Sequence, residues 1–167
     1  MEDRVKRLVV PVIGQRTDER AIRVAARIAD HTSVELTLIH VVEVPQQLPL
    51  DAELPAEIER GEAILRSAET FTESLLTGRS VQVESELLQS RTAGSAVVDE
   101  AIERGSKLII MAARLRSRHG KVGLGETARY ILQTAPCEVM ILRQAMDQEV
   151  ENAVLTLAGT GQVRDIG

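Results

Sequence analysis

Five short apolar runs alternate along the chain with segments of helical periodicity, and few folds accommodate that order. The runs lie at residues 6–13, 34–42, 80–88, 107–112 and 137–142. Short β-branched runs with few polar interruptions are typical of strands covered on both faces, as in a parallel sheet. Parallel neighbours need crossover connections, which are helical and right-handed. The sequence therefore predicts an α/β fold with a doubly wound, five-stranded parallel sheet and helices on both faces.

Four segments between these runs carry helix signals. The first begins at Thr17, a predicted N-cap, with Asp18 and Glu19 in the first turn, where the helix dipole favours acids. The second runs from about Pro55 to Gly78. The third and fourth span about 92–105 and 125–135, and a loop at 113–124 separates the fourth strand from the last helix. The predicted buried stripe of the second helix comprises Ile58, Gly61, Ile64, Leu65, Ala68, Phe71 and Leu75.

Two strands are predicted at the edges of the sheet, in the strand order 3-2-1-4-5. Residues 80–88 alternate apolar and polar side chains, as half-exposed edge strands do. Residues 137–142 are apolar and are expected at the opposite edge, where a second copy could pair across a two-fold axis. Residues 1–143 are predicted to form one domain and 144–167 a mobile tail, which could alternatively cover this edge. We expect a homodimer through Val139, Met140, Ile141 and Leu142.

Composition excludes several classes of function. Among 167 residues only 1% are aromatic, which argues against stacking on single-stranded nucleic acid. A net charge of −5 argues against a general polyanion-binding surface. One cysteine, Cys137, excludes a disulfide framework and a multi-cysteine zinc site. Because no apolar run approaches the roughly 18 residues of a membrane span and no signal-peptide pattern is present, we expect a cytoplasmic protein without membrane insertion, nucleic-acid partner or metal.

Ligands of open α/β sheets bind beyond the carboxyl ends of the strands, at the switch point where the strand order reverses. Five segments in and around these positions form a specific set by their order and spacing: VVPVIG (9–14), RAIRVAARIA (20–29), VELTLIHVV (34–42), KLIIMA (107–112) and APCEVMILR (135–143). With them the sequence resembles the universal stress protein family, over residues 5–143. The resemblance implies an adenine-nucleotide alpha-hydrolase-like, Rossmann-like fold, an adenine-nucleotide site in many members, and dimerisation through the last strand.

The nucleotide site implied by the resemblance is altered here at four of five positions. Members that bind nucleotides usually have an acid after the first strand and Gly-x2-Gly-x9-Gly-(Ser/Thr) after the fourth. The acid position is Ile13, the first two glycines are Ala112 and Leu115, and the hydroxyl residue is Glu126; only Gly125 remains. Glu126 is expected to occupy the free N–H groups of the helix N-terminus itself and to repel a triphosphate. The candidate ligand-binding residues are Ile13, Gly14, Val41, Ala112, Arg114, Leu115, Arg118, Gly123, Gly125, Glu126 and Thr127.

A basic cluster in the 113–124 loop supports an alternative. Arg114, Arg116, Arg118 and Lys121 lie there without an acid between them, and arginine suits phosphate groups, although such loops are often simply solvated. We therefore predict a dimeric binding or regulatory scaffold in the stress response, with no cofactor and a possible protein partner. The alternative is an ATP- or AMP-binding regulator that uses the basic loop at 114–121.

No enzyme is predicted. Val97 stands where a nucleophile elbow around Ser95 requires glycine, and the string at 120–127 lacks the glycine spacing of a P-loop. His40 lies inside a strand and is expected to be a packed or hydrogen-bonded residue, and Cys137 a buried, inert thiol. A slow nucleotide hydrolase is a third hypothesis, which lacks a positioned base.

Overall fold

A computed structural model describes residues 7–32, 34–77, 81–118 and 121–143. The predicted tail at 144–167, together with Gly78 and His119, lies outside these residues. Strands and helices alternate along the described chain. In order, they are β1 (Arg7–Pro11), α1 (Arg16–Thr32), β2 (Glu35–Glu43), α2 (Pro55–Leu75), β3 (Gln82–Ser90), α3 (Ala93–Glu103), β4 (Leu108–Ala113), β5 (Leu115–Arg118), β6 (Lys121–Leu124), α4 (Glu126–Thr134) and β7 (Glu138–Arg143).

The main sheet has five parallel strands in the order β3-β2-β1-β4-β7, which confirms the predicted order and both predicted edges. Its ladders differ in length. Nine residue pairs join β2 to β3, from Glu35↔Gln82 to Glu43↔Ser90. Only Leu8↔Leu108 and Val9↔Ile109 join β1 to β4. The chain therefore winds outward in both directions from β1, and the switch point lies between the ends of β1 and β4.

Helices cover both faces of the sheet, as predicted. On the face covered by α1 and α2, Val10 and Leu38 pack against Ala25 and Leu65. On the face covered by α3 and α4, Val9 and Ile109 pack with the helix residues Val97 and Ile131. Because apolar residues alternate between these two layers, every interior strand is buried on both sides, which explains its nearly continuous apolar sequence. None of the helices in the described part is long and apolar enough to cross a membrane.

Two predicted helix ends need correction. Helix α1 begins at Arg16, so Thr17, the predicted N-cap, lies inside it and is buried. The nearby Asp18 carboxylate, not the Thr17 hydroxyl, accepts the backbone N–H groups at this entry. Helix α2 ends at Leu75 rather than near residue 78. The buried stripe of α2 also includes Thr72, whose hydroxyl donates to the Ala68 carbonyl at 2.7 Å, a satisfied polar contact that hydrophobic periodicity does not reveal.

The predicted 113–124 loop is also wrong, because the segment forms an antiparallel ribbon, β5–β6. Leu115 pairs with Leu124, Arg116 with Gly123, and Arg118 with Lys121. Leu124 packs against the core beneath α3 and α4, which anchors the ribbon to the body. Leu115 and Leu124 have the spacing that an antiparallel ribbon requires. Arginines at alternate positions of the same segment are typical of a solvated loop, which is why the sequence predicted one. The ribbon replaces an open loop at the switch point.

Candidate functional site

The first wall of the candidate site is the turn after β1. Val12 belongs to the core under α1 and α2, and a Cβ on Gly14 would lie 2.8 Å from Ile64 of α2. Both residues thus face that layer, and Ile13 between them faces the opposite layer, under α3 and α4. Ile13 is 54% exposed. An apolar side chain therefore stands at the position where the family pattern has an acid.

The turn is held by a carboxylate of the chain itself. Asp18 Oδ2 accepts the backbone N–H groups of Ile13 at 2.9 Å, Gly14 at 2.7 Å and Gln15 at 3.1 Å. Gly14 has a φ of +78°, which only glycine adopts freely. Burial raises the pKa of Asp18, against the opposing effects of these three hydrogen bonds and of nearby His40. The N–H groups of the turn are therefore already occupied and are not available to an external anion.

His40 has a structural role, as predicted. Its Nδ1 lies 2.8 Å from the Val12 carbonyl oxygen and donates to it, since a carbonyl only accepts. Gly61 of α2 lies so close to the imidazole that a Cβ there would be 2.8 Å from its Cδ2. His40 is thus packed beneath α2, on the face of the sheet opposite Ile13.

The second wall is formed by the end of β4 and the ribbon. Ala112 and Leu115, at the two altered glycine positions, are half-buried. Arg114 and Arg116 are exposed, and no carboxylate of the described residues lies within ion-pair distance of either guanidinium. Gly123, opposite Arg116, leaves open space, because a Cβ there would meet nothing within 4 Å. The backbone of Arg118 belongs to the ribbon, and its side chain is not among the described parts of the structure.

The N-terminus of α4 completes the site. Gly125 is the N-cap residue, and no side chain caps the helix. Glu126 is exposed, which corrects the expectation that its carboxylate occupies the free N–H groups. Thr127 is half-buried. Glu126 therefore contributes negative charge at the mouth of the site without filling the helix terminus.

Between the walls, an apolar row crosses the sheet. Pro11 pairs with Ile39, so Ile13, two residues later, lies level with Val41, and Val41 pairs with Leu88. We call Leu88, Val41, Ile13 and Ala113 the switch-point floor. Three of them, Leu88, Val41 and Ala113, belong to the core beneath α3 and α4. The floor offers apolar contact rather than hydrogen-bonding groups.

Groups for catalysis or metal binding do not converge here. In the described ranges, no cluster of three histidine, cysteine or acidic residues could hold a metal ion. Cys137 is half-buried, and burial raises the pKa of its thiol. Ser95 serves the N-cap of α3, with its hydroxyl 2.7 Å from that of Thr92.

A doubly wound parallel sheet with its candidate site at the switch point defines the Rossmann-like class of α/β fold. Within that class, the model of the universal stress protein family matches residues 4–143, and the chain belongs to this family. Universal stress protein MJ0531 of Methanocaldococcus jannaschii is 25% identical over 149 residues, which cover 86% of this chain and 85% of that protein.

Solved structures share the fold. A universal stress protein from Archaeoglobus fulgidus superimposes with a TM-score of 0.67 at 23% identity, covering 81% of this chain and 97% of that one. The universal stress protein from the same organism in complex with dAMP has a TM-score of 0.63 at 20% identity, covering 81% and 96%. At this level of identity the likeness concerns the fold, and the site must be judged from its own residues.

Proposed function

We propose that this universal stress protein is a dimeric cytoplasmic binding or regulatory scaffold that performs no catalysis and does not bind ATP in the manner of the family. The observation that carries the proposal is the β5–β6 ribbon. In the family pattern, glycines around this segment let the backbone approach phosphates. Here the Leu115↔Leu124 and Arg116↔Gly123 pairing commits backbone groups of the segment to the ribbon.

Side chains at the altered positions oppose a triphosphate further. Ala112 and Leu115 carry Cβ atoms where glycine would leave room for phosphate oxygens. The exposed Glu126 carboxylate repels a highly charged anion at the helix terminus, where the dipole would otherwise attract one. Ile13 cannot accept the hydrogen bonds that a carboxylate at its position would accept from the hydroxyl or amino groups of adenosine.

Thermal unfolding with millimolar ATP, ADP or AMP, each with and without magnesium, tests the proposal. A ligand present at about 100 times its dissociation constant stabilises the folded state by roughly 2.7 kcal/mol, a shift of several degrees. We expect no shift for the native chain and a gain of ATP-dependent stabilisation in Leu115→Gly/Glu126→Ser. The control Leu48→Gly/Glu57→Ser, at exposed positions, should gain nothing. A clear ATP shift for the native chain contradicts the proposal.

A nucleotide-binding regulator is the second candidate. Arg114 and Arg116 are exposed and have no carboxylate partner among the described residues, and a related structure contains dAMP. In this case ATP or AMP shifts the unfolding temperature of the native chain, and Arg114→Glu/Arg116→Glu abolishes the shift. If the shift survives in that variant, the basic ribbon is not the binding element.

The dimer is proposed to form through β7. This strand pairs with β4 on one side, and no strand of the described chain pairs with its other side. Met140 is 36% exposed there. An apolar edge of this kind favours antiparallel pairing with a second copy. Light scattering should report a dimer for the native chain and a monomer for Met140→Glu. Ile102→Glu, at an exposed apolar residue of α3, is the control and should remain dimeric. A monomeric native chain overturns the proposed dimer.

A further inference from the structure

We propose that the switch-point site binds organic anions with an apolar body and a single charged head group, such as alkyl carboxylates. This proposal rests on the absence of nucleotide binding in the proposed function and names the class of ligand that the altered site would accept instead. It follows from two features, the exposed Ile13 of the otherwise buried or half-buried apolar floor, and two exposed arginines that have no acidic partner among the described residues.

The floor fits an apolar body. Ile13 is 54% exposed although the other members of the switch-point floor belong to the core, so the apolar surface of the core continues outward at this point. Half-buried Leu124 of the ribbon packs against the same core. Covering it with an alkyl chain removes apolar area from water, and that is the main source of favourable free energy in such contacts.

A nucleobase does not fit the same floor. Its ring donors and acceptors would lose hydrogen bonds to water without finding partners, because Ile13, Val41 and Ala113 offer only hydrocarbon side chains. Such unmatched polar groups are costly to desolvate, whereas an alkyl chain has none. An isoleucine at position 13, where the family pattern has an acid, therefore favours a ligand with an apolar body over one with a polar ring.

The charged rim fits one anionic head. Arg114 directly follows Ala113, the last residue of β4, and Arg116 lies two residues further along β5. Both are exposed, and neither has an acidic partner in the described ranges. Guanidinium groups bind carboxylates in paired, charge-assisted hydrogen bonds. Repulsion by Glu126 is modest for one negative charge and grows with each additional charge of a polyphosphate.

Calorimetric titration of the full chain with decanoate tests the floor. We expect saturable binding by the native chain and about tenfold weaker binding, or more, by Ile13→Asp, since an isoleucine side chain contributes that much on burial. Ile102→Asp is the matched control, because Ile102 on α3 is 55% exposed and distant in sequence from the site. The control should bind decanoate as the native chain does.

The head group is tested with decylammonium and with charge reversal. Decylammonium should not bind, and Arg114→Glu/Arg116→Glu should lose decanoate binding. Arg20→Glu/Arg60→Glu, at exposed arginines of α1 and α2, should retain it. Equal binding of both head groups, or equal loss in the two double variants, overturns the assignment of the arginines.

The outcomes separate this inference from the proposed function. If decanoate does not bind and no nucleotide shifts the unfolding temperature, the inference fails and the scaffold proposal stands. If decanoate does not bind and ATP does, both fail. If decanoate binds equally well to the native chain and to Ile13→Asp, it binds elsewhere and the inference is overturned.

Discussion

Arg104, which follows the last residue of α3, donates to Glu84 on the edge strand β3 at 2.8 Å. The same guanidinium lies 2.5 Å from Glu100 and 3.2 Å from Glu86, with Glu35 of β2 at 3.7 Å. One cation thus joins the end of α3 to the strands β2 and β3. Its side chain is 18% exposed, so the pairs are partly shielded from solvent.

Arg104→Met should lower the free energy of unfolding by about 2 kcal/mol, because removal of one member of a shielded cluster leaves its carboxylates repelling one another. Urea denaturation followed by circular dichroism measures the loss. Arg66→Met is the control, since the ion pair of Arg66 among the described residues is with Glu62, at 3.6 Å on an exposed helix surface. Exposed pairs contribute about 0.5 kcal/mol. Equal losses in the two variants would show that the cluster adds nothing to an ordinary surface pair.

Asp18→Ala should destabilise the protein by about 2 kcal/mol at neutral pH, because three backbone N–H groups lose their shared acceptor. Circular dichroism across a urea series measures the change. Asp99→Ala on the exposed surface of α3 provides the control and should change stability little. A small effect of Asp18→Ala would mean that water replaces the carboxylate in this turn at little cost.

The pH dependence of Asp18 has a definite sign. Burial raises its folded pKa above the ordinary value of 3.8, so the folded state holds the proton more tightly than the unfolded chain. The resulting stability is fully present below pH 3.8 and is lost as the pH rises through the folded pKa. The stability of the native chain relative to Asp18→Asn should therefore fall as the pH rises from below 3.8 through the raised pKa of the folded state. The opposite slope would show that the three hydrogen bonds outweigh burial.

Gly61→Ala should destabilise the protein by about 1–3 kcal/mol, although alanine is the better helix former. The added Cβ would lie 2.6 Å from Leu87 Cδ1 and 2.8 Å from His40 Cδ2. The leucine can move, but the imidazole is held by its hydrogen bond to Val12. Thermal unfolding measures the change in stability. Gly123→Ala is the control and should change stability little, because the new methyl group would have open space around it. A stabilised Gly61→Ala variant would mean that α2 shifts easily.

Cys137 should react with a disulfide reagent at pH 7.5 about tenfold more slowly in the folded protein than in urea. Burial raises the pKa of its thiol, which lowers the fraction of reactive thiolate. Because the chain has one cysteine, the absorbance of the released thiol reports this site alone. Equal rates in the two states would place the thiol in free contact with solvent.

The strands were predictable because burial on both faces leaves a sequence signal that needs no knowledge of contacts. The apolar runs around Val9, Leu38 and Ile109 identify interior strands wherever they lie in the sheet, and the alternation at β3 identifies an edge. Element ends were less predictable. The entry of α1 depends on Asp18 reaching back three to five residues along the chain to the turn amides, and hydroxyl-based capping rules do not anticipate this contact.

The ribbon was missed because charge and pairing give competing signals. Arg114, Arg116, Arg118 and Lys121 indicate a solvated loop, whereas Leu115 and Leu124 match across a hairpin only when the register is known. The candidate site residues followed from the family pattern. Their exposure, especially that of Ile13 and Glu126, is a property of packing at the switch point and could not be obtained from spacing alone.

The two-pair ladder between β1 and β4 also determines where the sheet opens. Beyond Val9 and Ile109 these strands have no further paired residues, while β1 continues along β2, with the Val12 N–H donating to the Ile39 carbonyl at 2.8 Å. Nine residue pairs join β2 to β3 and six join β4 to β7, whereas two pairs join β1 to β4. The space between Ile13 and the ribbon therefore lies where main-chain pairing across the sheet has already ended, and side chains rather than a strand ladder determine what can enter it.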